Sequence, residues 1–213
     1  LTHAKPIFSI LIKMQPYNRD LLKAVMDKGI TLIDWECLTS QEGNRIIGFG
    51  RYAGIVGAYN GFRALGLRDK LFDLKKAHAC LDRQELNQEL LKVKLPSIKI
   101  LLMGGGKVAH GALEVLSDLG IREVTVDEFL SQRFEEPVFC RITFDQYFKR
   151  KDGKDFDTKF YFENPAEHLS DFMRFAEVSD MFIAGHYWDS NAPFLFTRED
   201  VKSDRFKMNL VAD

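Results

Sequence analysis

The chain has 213 residues and a formal net charge of -1, a length that suits one large domain or two small ones and a charge balance that gives no reason to expect a nucleic-acid-binding face. Hydrophobic residues make up 46% and charged residues 29%, which fits a globular protein with a real core; no apolar run approaches the roughly 20 residues needed to span a bilayer. The three cysteines, Cys37, Cys80 and Cys140, are far apart and without CxxC spacing, so reduced thiols in a cytoplasmic protein are expected rather than a disulfide framework or a cysteine-built metal site.

In chain order, the run Pro6-Ile-Phe-Ser-Ile-Leu-Ile12 predicts a buried strand. Asn18 is placed to cap a helix that reaches Asp27, with Leu21, Leu22, Val25 and Met26 at helical spacing and Gly29 closing it. Thr31-Leu-Ile-Asp-Trp35 predicts a second strand, Gln41-Glu-Gly-Asn44 a turn, and Arg45-Ile-Ile-Gly-Phe49 a third strand. Residues 50–66 carry Gly50, Gly54, Gly57, Gly61 and Gly66 among apolar residues. Glycine in a helix costs about 1 kcal/mol relative to alanine; close packing of Gly54 and Gly57, with Ala53 and Ala58, against another backbone would offset that. Residues 67–95 read as a charged helical connector with Leu71, Leu74, Leu86, Leu90 and Leu91, ended by Pro96. Residues 131–165 read as irregular apart from a turn at Lys151-Asp-Gly-Lys154, 167–178 as a helix, and 180–185 and 206–211 as strands.

Between these lies the most informative segment. Ile98-Lys-Ile-Leu-Leu-Met103 predicts a strand, Gly104 to Leu119 a helix opened by glycines and stopped by Gly120, and Glu123-Val-Thr-Val-Asp127 the next strand. Gly104, Gly106 and Ala109 form G-x-G-x-x-A at the strand-to-helix turn. In a dinucleotide site the first small residue permits the turn, the second lets a pyrophosphate approach the backbone, and the third lets helix and strand pack closely. The helix N-terminus, with Lys107 and Val108, offers free N–H groups and partial positive charge to phosphates. Asp127, about 20 residues further on, is positioned to accept hydrogen bonds from ribose hydroxyls and to repel a 2′-phosphate, favouring NAD over NADP; Glu128 is its neighbour, and Arg133 argues the other way. A glycine turn kept only for packing is the competing account. His110 in the same helix reads as a surface or packing residue.

The segments Phe8-Ser-Ile-Leu-Ile-Lys13, Thr31-Leu-Ile-Asp-Trp-Glu36, Arg45, Phe49-Gly-Arg-Tyr-Ala-Gly54, the glycine loop, Ser179-Asp-Met-Phe-Ile183, Ala192-Pro-Phe194 and Leu210-Val-Ala-Asp213 together resemble the lysine-forming saccharopine dehydrogenases, within the wider alanine dehydrogenase and transhydrogenase family. The resemblance implies two α/β domains flanking a cleft, NAD on the second domain, an amino acid between them, and hydride transfer at a C–N carbon. It places Glu36 and Arg45 where they orient substrate and tune acid/base groups, Asp213 near the nicotinamide, and Gly185, His186 and Tyr187 where the chain passes the cofactor. A guanidinium clamp suits a dicarboxylate amino acid, and Arg45 is either that or a solvated strand-end charge. Glu36 is otherwise a surface carboxylate after a strand. Lys13 is a further catalytic candidate, although a lysine snorkelling along apolar surface is the simpler account.

The expected architecture is therefore α/β: a Rossmann-type dinucleotide-binding domain over 96–213, a helical connector over 67–95, and part of a second α/β substrate domain with a linking helix over 1–66. The expected function is an NAD(P)-dependent oxidoreductase acting on an amino-acid C–N bond, with a small-molecule amino-acid substrate, no nucleic-acid or membrane partner, and homo-oligomerisation open. The chain departs from the resemblance in having Ile10 where the family carries a histidine acid/base. It lacks an initiator Met, and the family's catalytic lysine falls upstream of residue 1, so the chain is expected to be a piece of a longer product that binds NAD without turning over an amino acid by itself. A nucleotide-binding module without catalysis is the alternative. Another Rossmann enzyme, such as an epimerase, would not require the 31–54 motifs.

Overall fold

The computed structural model describes residues 7–9, 18–43 and 45–213, and it divides into two compact units, 1–49 and 50–213. The boundary precedes the expected one at 66/67 because the glycine-rich helix packs within the second unit.

In the first unit β1 (Ile7–Ser9) pairs in parallel with β2 (Leu32–Asp34), with Phe8 opposite Ile33, and α1 (Arg19–Asp27) connects them. This is the predicted β-α-β. Asn18 makes no side-chain capping bond, whereas Gly29 closes the helix at φ +59°. The third strand expected at 45–49 is not formed. Arg45 makes a single antiparallel bridge with Thr39, and the Ile46 N–H donates to the Leu38 carbonyl at 2.9 Å, around a turn where Gly43 takes φ +80°. The chain then leaves this short ladder for the helix that begins at Gly50. Trp35 and Phe49 meet edge to face at 6.0 Å.

The second unit is built on a five-stranded parallel sheet of β3 (Lys99–Met103), β4 (Arg122–Glu123), β5 (Val138–Ile142), β8 (Met181–Ala184) and β9 (Leu210–Ala212), in the order β4-β5-β3-β8-β9. Central β3 reads as an unbroken apolar run because both of its faces are covered. Ile100 and Leu102 join the core formed by α2 (Gly50–Asp69) and α4 (Lys107–Asp118). Leu101 and Met103 join an aromatic core with Phe129, Tyr147, Phe148, Phe172, Phe175 and Phe182.

The α2–α4 contact explains part of the glycine pattern. A β-carbon on Gly54 would stand 1.8 Å from the Val108 carbonyl oxygen, and one on Gly111 would stand 1.9 Å from the Arg51 carbonyl oxygen. Gly57 faces open space and has no such duty.

The connector is less helical than its sequence suggests. Lys70, at φ 56°, ends α2, and only α3 (Arg83–Leu90) is a regular helix, started where the Asp82 carboxylate accepts from the Glu85 N–H at 2.9 Å. Leu74, Leu86 and Leu90 still bury against the α2–α4 layer.

The 131–165 stretch, expected to be irregular, instead supplies β5, α6 (Phe144–Tyr147), β6 (Phe148–Arg150) and α7 (Thr158–Glu163), with the predicted turn present at Gly153, φ +73°. The helix expected over 167–178 is a strand, β7 (His168–Ser170), antiparallel to β6, followed by the short α8 (Met173–Ala176). Thr197 caps α9 (Arg198–Lys202) before the chain returns through β9. The strand expected over 206–211 therefore starts later and reaches Ala212.

Candidate functional site: a glycine-loop cleft and its aromatic neighbour

The candidate site lies at the carboxyl ends of the parallel strands, where loops of an open α/β sheet collect. After β3 the chain turns at Gly104, whose φ is +122° and whose N–H donates to the Ile142 carbonyl at 2.9 Å. A β-carbon there would stand 2.4 Å from the Gly185 carbonyl oxygen. Gly185 follows β8, its N–H donates to the Met103 carbonyl at 2.8 Å, and its own β-carbon would stand 2.9 Å from Ala109 Cα. Gly104, Ala109 and Gly185 are thus fixed by mutual backbone approach. Gly106 differs. It caps α4 with no side chain to occupy the first-turn N–H groups, and a β-carbon on it meets no protein atom within 4 Å. Protein packing therefore does not require glycine at 106, while an anion approaching the helix N-terminus would.

Gly104, Gly106, Lys107 and Val108 line a cleft of about 400 Å³ with Phe144, Phe162, Gly185, His186 and Tyr187. Seven of the nine predicted cofactor-binding residues are brought together here, and an eighth, Ala109, packs against Gly185. His110 stays outside: its Nδ1 lies 2.8 Å from the Gly106 carbonyl oxygen, and the ring is exposed.

The predicted acid, Asp127, is placed differently from its expected position. The strand over 123–127 stops at Glu123, because Thr125 accepts from the Glu128 N–H and Glu128 returns to the Thr125 N–H. This capping box starts α5 (Val126–Ser131), and Asp127 falls in its first turn. Moreover β4 pairs with β5 and not with β3. Asp127 lines a separate cleft with Glu123, Thr125, Glu128, Arg141 and Gln146. Helix α6 divides that cleft from the glycine loop, with Phe144 on one side and Gln146 on the other. The strand beside β3 is β5, and after it come Thr143 and Asp145. The Thr143 hydroxyl donates to Asp145 Oδ1 at 2.6 Å, and its methyl group lies 3.4 Å from where a Gly105 β-carbon would sit. Sequence reading missed this pair. The signal was an apolar Val138-Phe-Cys-Arg-Ile142 run followed by the T-x-x-Q pattern of a capping box.

A second cleft of about 420 Å³ opens beyond β8 and β9, lined by Phe182, His186, Trp188, Phe194, Phe196 and Asp213 among others. Trp188 and Phe194 stack at 5.7 Å between ring centroids. His186 belongs to both clefts. Burial lowers its pKa, opposed by the Asp213 carboxylate.

In the first unit, Glu36 lies in a single helical turn, Trp35–Cys37, directly after β2, and Arg45 is held in the Thr39 bridge. Lys13 and Ile10 lie outside the described residues. Cys80 and Cys140 are free thiols. Among the described residues no helix is long and apolar enough to cross a membrane.

No protein-family model matches the chain. Among curated proteins, alpha-aminoadipic semialdehyde synthase, mitochondrial, of Rattus norvegicus is 28% identical over 92% of this chain and 24% of its own length. The Arabidopsis thaliana alpha-aminoadipic semialdehyde synthase is 22% identical over 93% of this chain and 22% of its own. Saccharopine dehydrogenase [NAD(+), L-lysine-forming] of Candida glabrata is 29% identical over 59% of this chain and 37% of its own. The chain thus spans about a quarter of the length of the first two relatives. Among solved structures, an L-alanine dehydrogenase superposes with a TM-score of 0.48 at 12% identity, covering 93% of this chain and 46% of that one. The resemblance read from the sequence stands: over most of its length this chain is homologous to one segment of the alpha-aminoadipic semialdehyde synthases and, over a shorter stretch, to saccharopine dehydrogenase.

Proposed function

We propose that the chain is the dinucleotide-binding part of an NAD-dependent oxidoreductase acting on an amino-acid C–N bond, of the saccharopine dehydrogenase kind. The observation that carries this reading is Gly106. A β-carbon on it would meet no protein atom within 4 Å, and it sits at an uncapped helix N-terminus inside the cleft. The name of the Candida glabrata relative, which specifies NAD(+) and lysine formation, supports the same reading.

The fit of a dinucleotide to these residues follows from their chemistry. The first-turn N–H groups of Lys107, Val108 and Ala109 would hold the pyrophosphate, with the Lys107 ammonium alongside. Asp145, after the strand beside the loop, would take the ribose hydroxyls. A carboxylate there would disfavour a 2′-phosphate, which supports the reading of NAD over NADP. Bound NAD supplies the hydride acceptor. Phe144 and Phe162 wall one cleft, and Phe182, Trp188, Phe194 and Phe196 wall the other; packed against a bound dinucleotide, these rings would exclude water from the reacting end. Asp213 supplies a carboxylate at that end. Glu36 and Arg45 are assigned to the amino-acid ligand by resemblance, with the Arg45 guanidinium suited to a carboxylate.

The test is NADH oxidation with L-lysine plus 2-oxoglutarate, and separately with pyruvate plus ammonia, using the full-length product that contains this segment. Turnover with the lysine pair, lost in Gly106→Asp, supports the reading. Turnover that survives Gly106→Asp contradicts it.

A further inference from the structure

The glycine-loop cleft and the aromatic cleft share one polar side chain, and its chemistry is specific. His186 follows Gly185 at the end of β8 and lines both the glycine-loop cleft and the aromatic cleft in front of Asp213. Its ring lies between Tyr147, at 6.3 Å and nearly perpendicular, and Phe182, at 6.5 Å. Its Nδ1 is enclosed and has no hydrogen-bond partner among the described residues. A neutral imidazole carries one N–H and one lone pair. An enclosed N–H without an acceptor is rarer, and costlier, than an enclosed lone pair. The proton of the neutral ring therefore belongs on Nε2, the nitrogen that remains to donate. A second proton would have to sit on the enclosed Nδ1, which agrees with the lowered pKa.

We propose that His186 is the hydrogen-bond donor that recognises the end of a bound dinucleotide lying beyond its pyrophosphate, a flat ring bearing a carbonyl or carboxamide oxygen. The proposal rests on the dinucleotide reading of the glycine loop. The aromatic cleft fixes the chemistry of that ring. Phe182, Trp188, Phe194 and Phe196 offer faces and edges for stacking. Asp213 on the same wall disfavours an anion and accepts a neutral or cationic ring. A neutral imidazole N–H suits a carbonyl acceptor, and it is a fixed donor rather than a proton carrier. His186 thus discriminates ligands by what they present past the phosphates, while the glycine loop holds the part they share.

The experiment compares NADH with ADP-ribose, which keeps the pyrophosphate and lacks the ring. Dissociation constants are measured by calorimetry for the wild-type chain, His186→Leu and His186→Asn. His186→Leu is expected to weaken NADH about tenfold, the scale of one lost hydrogen bond, and to leave ADP-ribose within about twofold. His186→Asn, which keeps an N–H donor, is expected to recover part of the loss. Equal NADH affinity in all three proteins overturns the assignment. NADH and ADP-ribose weakening in step in both variants also overturns it, because His186 would then support the fold and not the ring. A wild-type chain that binds neither ligand overturns the dinucleotide reading and this assignment with it, whereas wild-type binding of both without the differential loss overturns this assignment alone.

Discussion

Gly104 and Gly185, which follow adjacent parallel strands, press backbone to backbone: a β-carbon on Gly104 would stand 2.4 Å from the Gly185 carbonyl oxygen. Gly104 also holds φ +122°, which an L side chain rarely adopts. Gly104→Ala is therefore expected to destabilise the second unit by about 2 kcal/mol or more, through strain and displacement of the loop after β8. Urea unfolding checks this, with Gly105→Ala as control, since a β-carbon there meets only the Thr143 methyl group at 3.4 Å.

The same reasoning separates two glycines of α2. Gly54 lies against the backbone of α4, while Gly57 faces open space. Gly54→Ala is expected to separate the two helices and cost several kcal/mol. Gly57→Ala is expected to stabilise by up to about 1 kcal/mol through helix propensity alone. Opposite signs in thermal or urea unfolding are the signature; two losses of similar size would contradict the packing account.

The proposed function gives cofactor choice to Asp145, which follows the strand beside the glycine loop, and not to Asp127, which lines another cleft. Asp145→Asn is expected to narrow the NADH preference over NADPH by about tenfold, and Asp127→Asn to leave it unchanged. Competition binding checks both. The reverse pattern would restore the sequence-based assignment.

His186 should make stability depend on pH. Burial lowers its folded pKa below the ordinary 6.5, with Asp213 opposing. Asp213, Tyr147, Tyr187 and Lys107 are the titratable groups around it in the two clefts and the aromatic contact. The unfolded chain takes up the proton first, so this contribution is present above the unfolded pKa and lost as pH falls through it towards the folded value. The wild-type chain is expected to lose more stability between about pH 7.5 and about pH 5.5 than His186→Gln does. Urea unfolding at both pH values reads the difference.

Much of the second unit was legible in its sequence because its strongest patterns are local. The Ile98–Met103 run and the glycine loop identify a strand, a turn and a helix within one short window, and Gly104 has a steric reason in its close approach to Gly185. What was not legible depended on pairing between distant strands. The position of Asp127 relied on β4 lying beside β3, whereas β5 takes that place, and nothing in residues 123–127 alone reveals it. Thr125 and Glu128 did carry a local capping signal, but the β-branched valines around them read as a strand. The aromatic stretch 131–165 looked irregular because its elements are only three to six residues long, too short for periodicity to register. Arg45 reads as a strand residue by composition, yet its ladder is one bridge long.

The central claim is that the cleft at Gly104, Gly106 and Ala109 binds a dinucleotide, and NADH titration followed by fluorescence tests it most directly. Gly106 is the position to vary, because a β-carbon there would meet no protein atom within 4 Å and folding should be spared. Circular dichroism of Gly106→Ala and Gly106→Asp verifies that the fold is kept. The account predicts saturable NADH binding by the wild-type chain, weakened in Gly106→Ala and abolished in Gly106→Asp, where a carboxylate would face the pyrophosphate. Undiminished binding by a folded Gly106→Asp protein would contradict it.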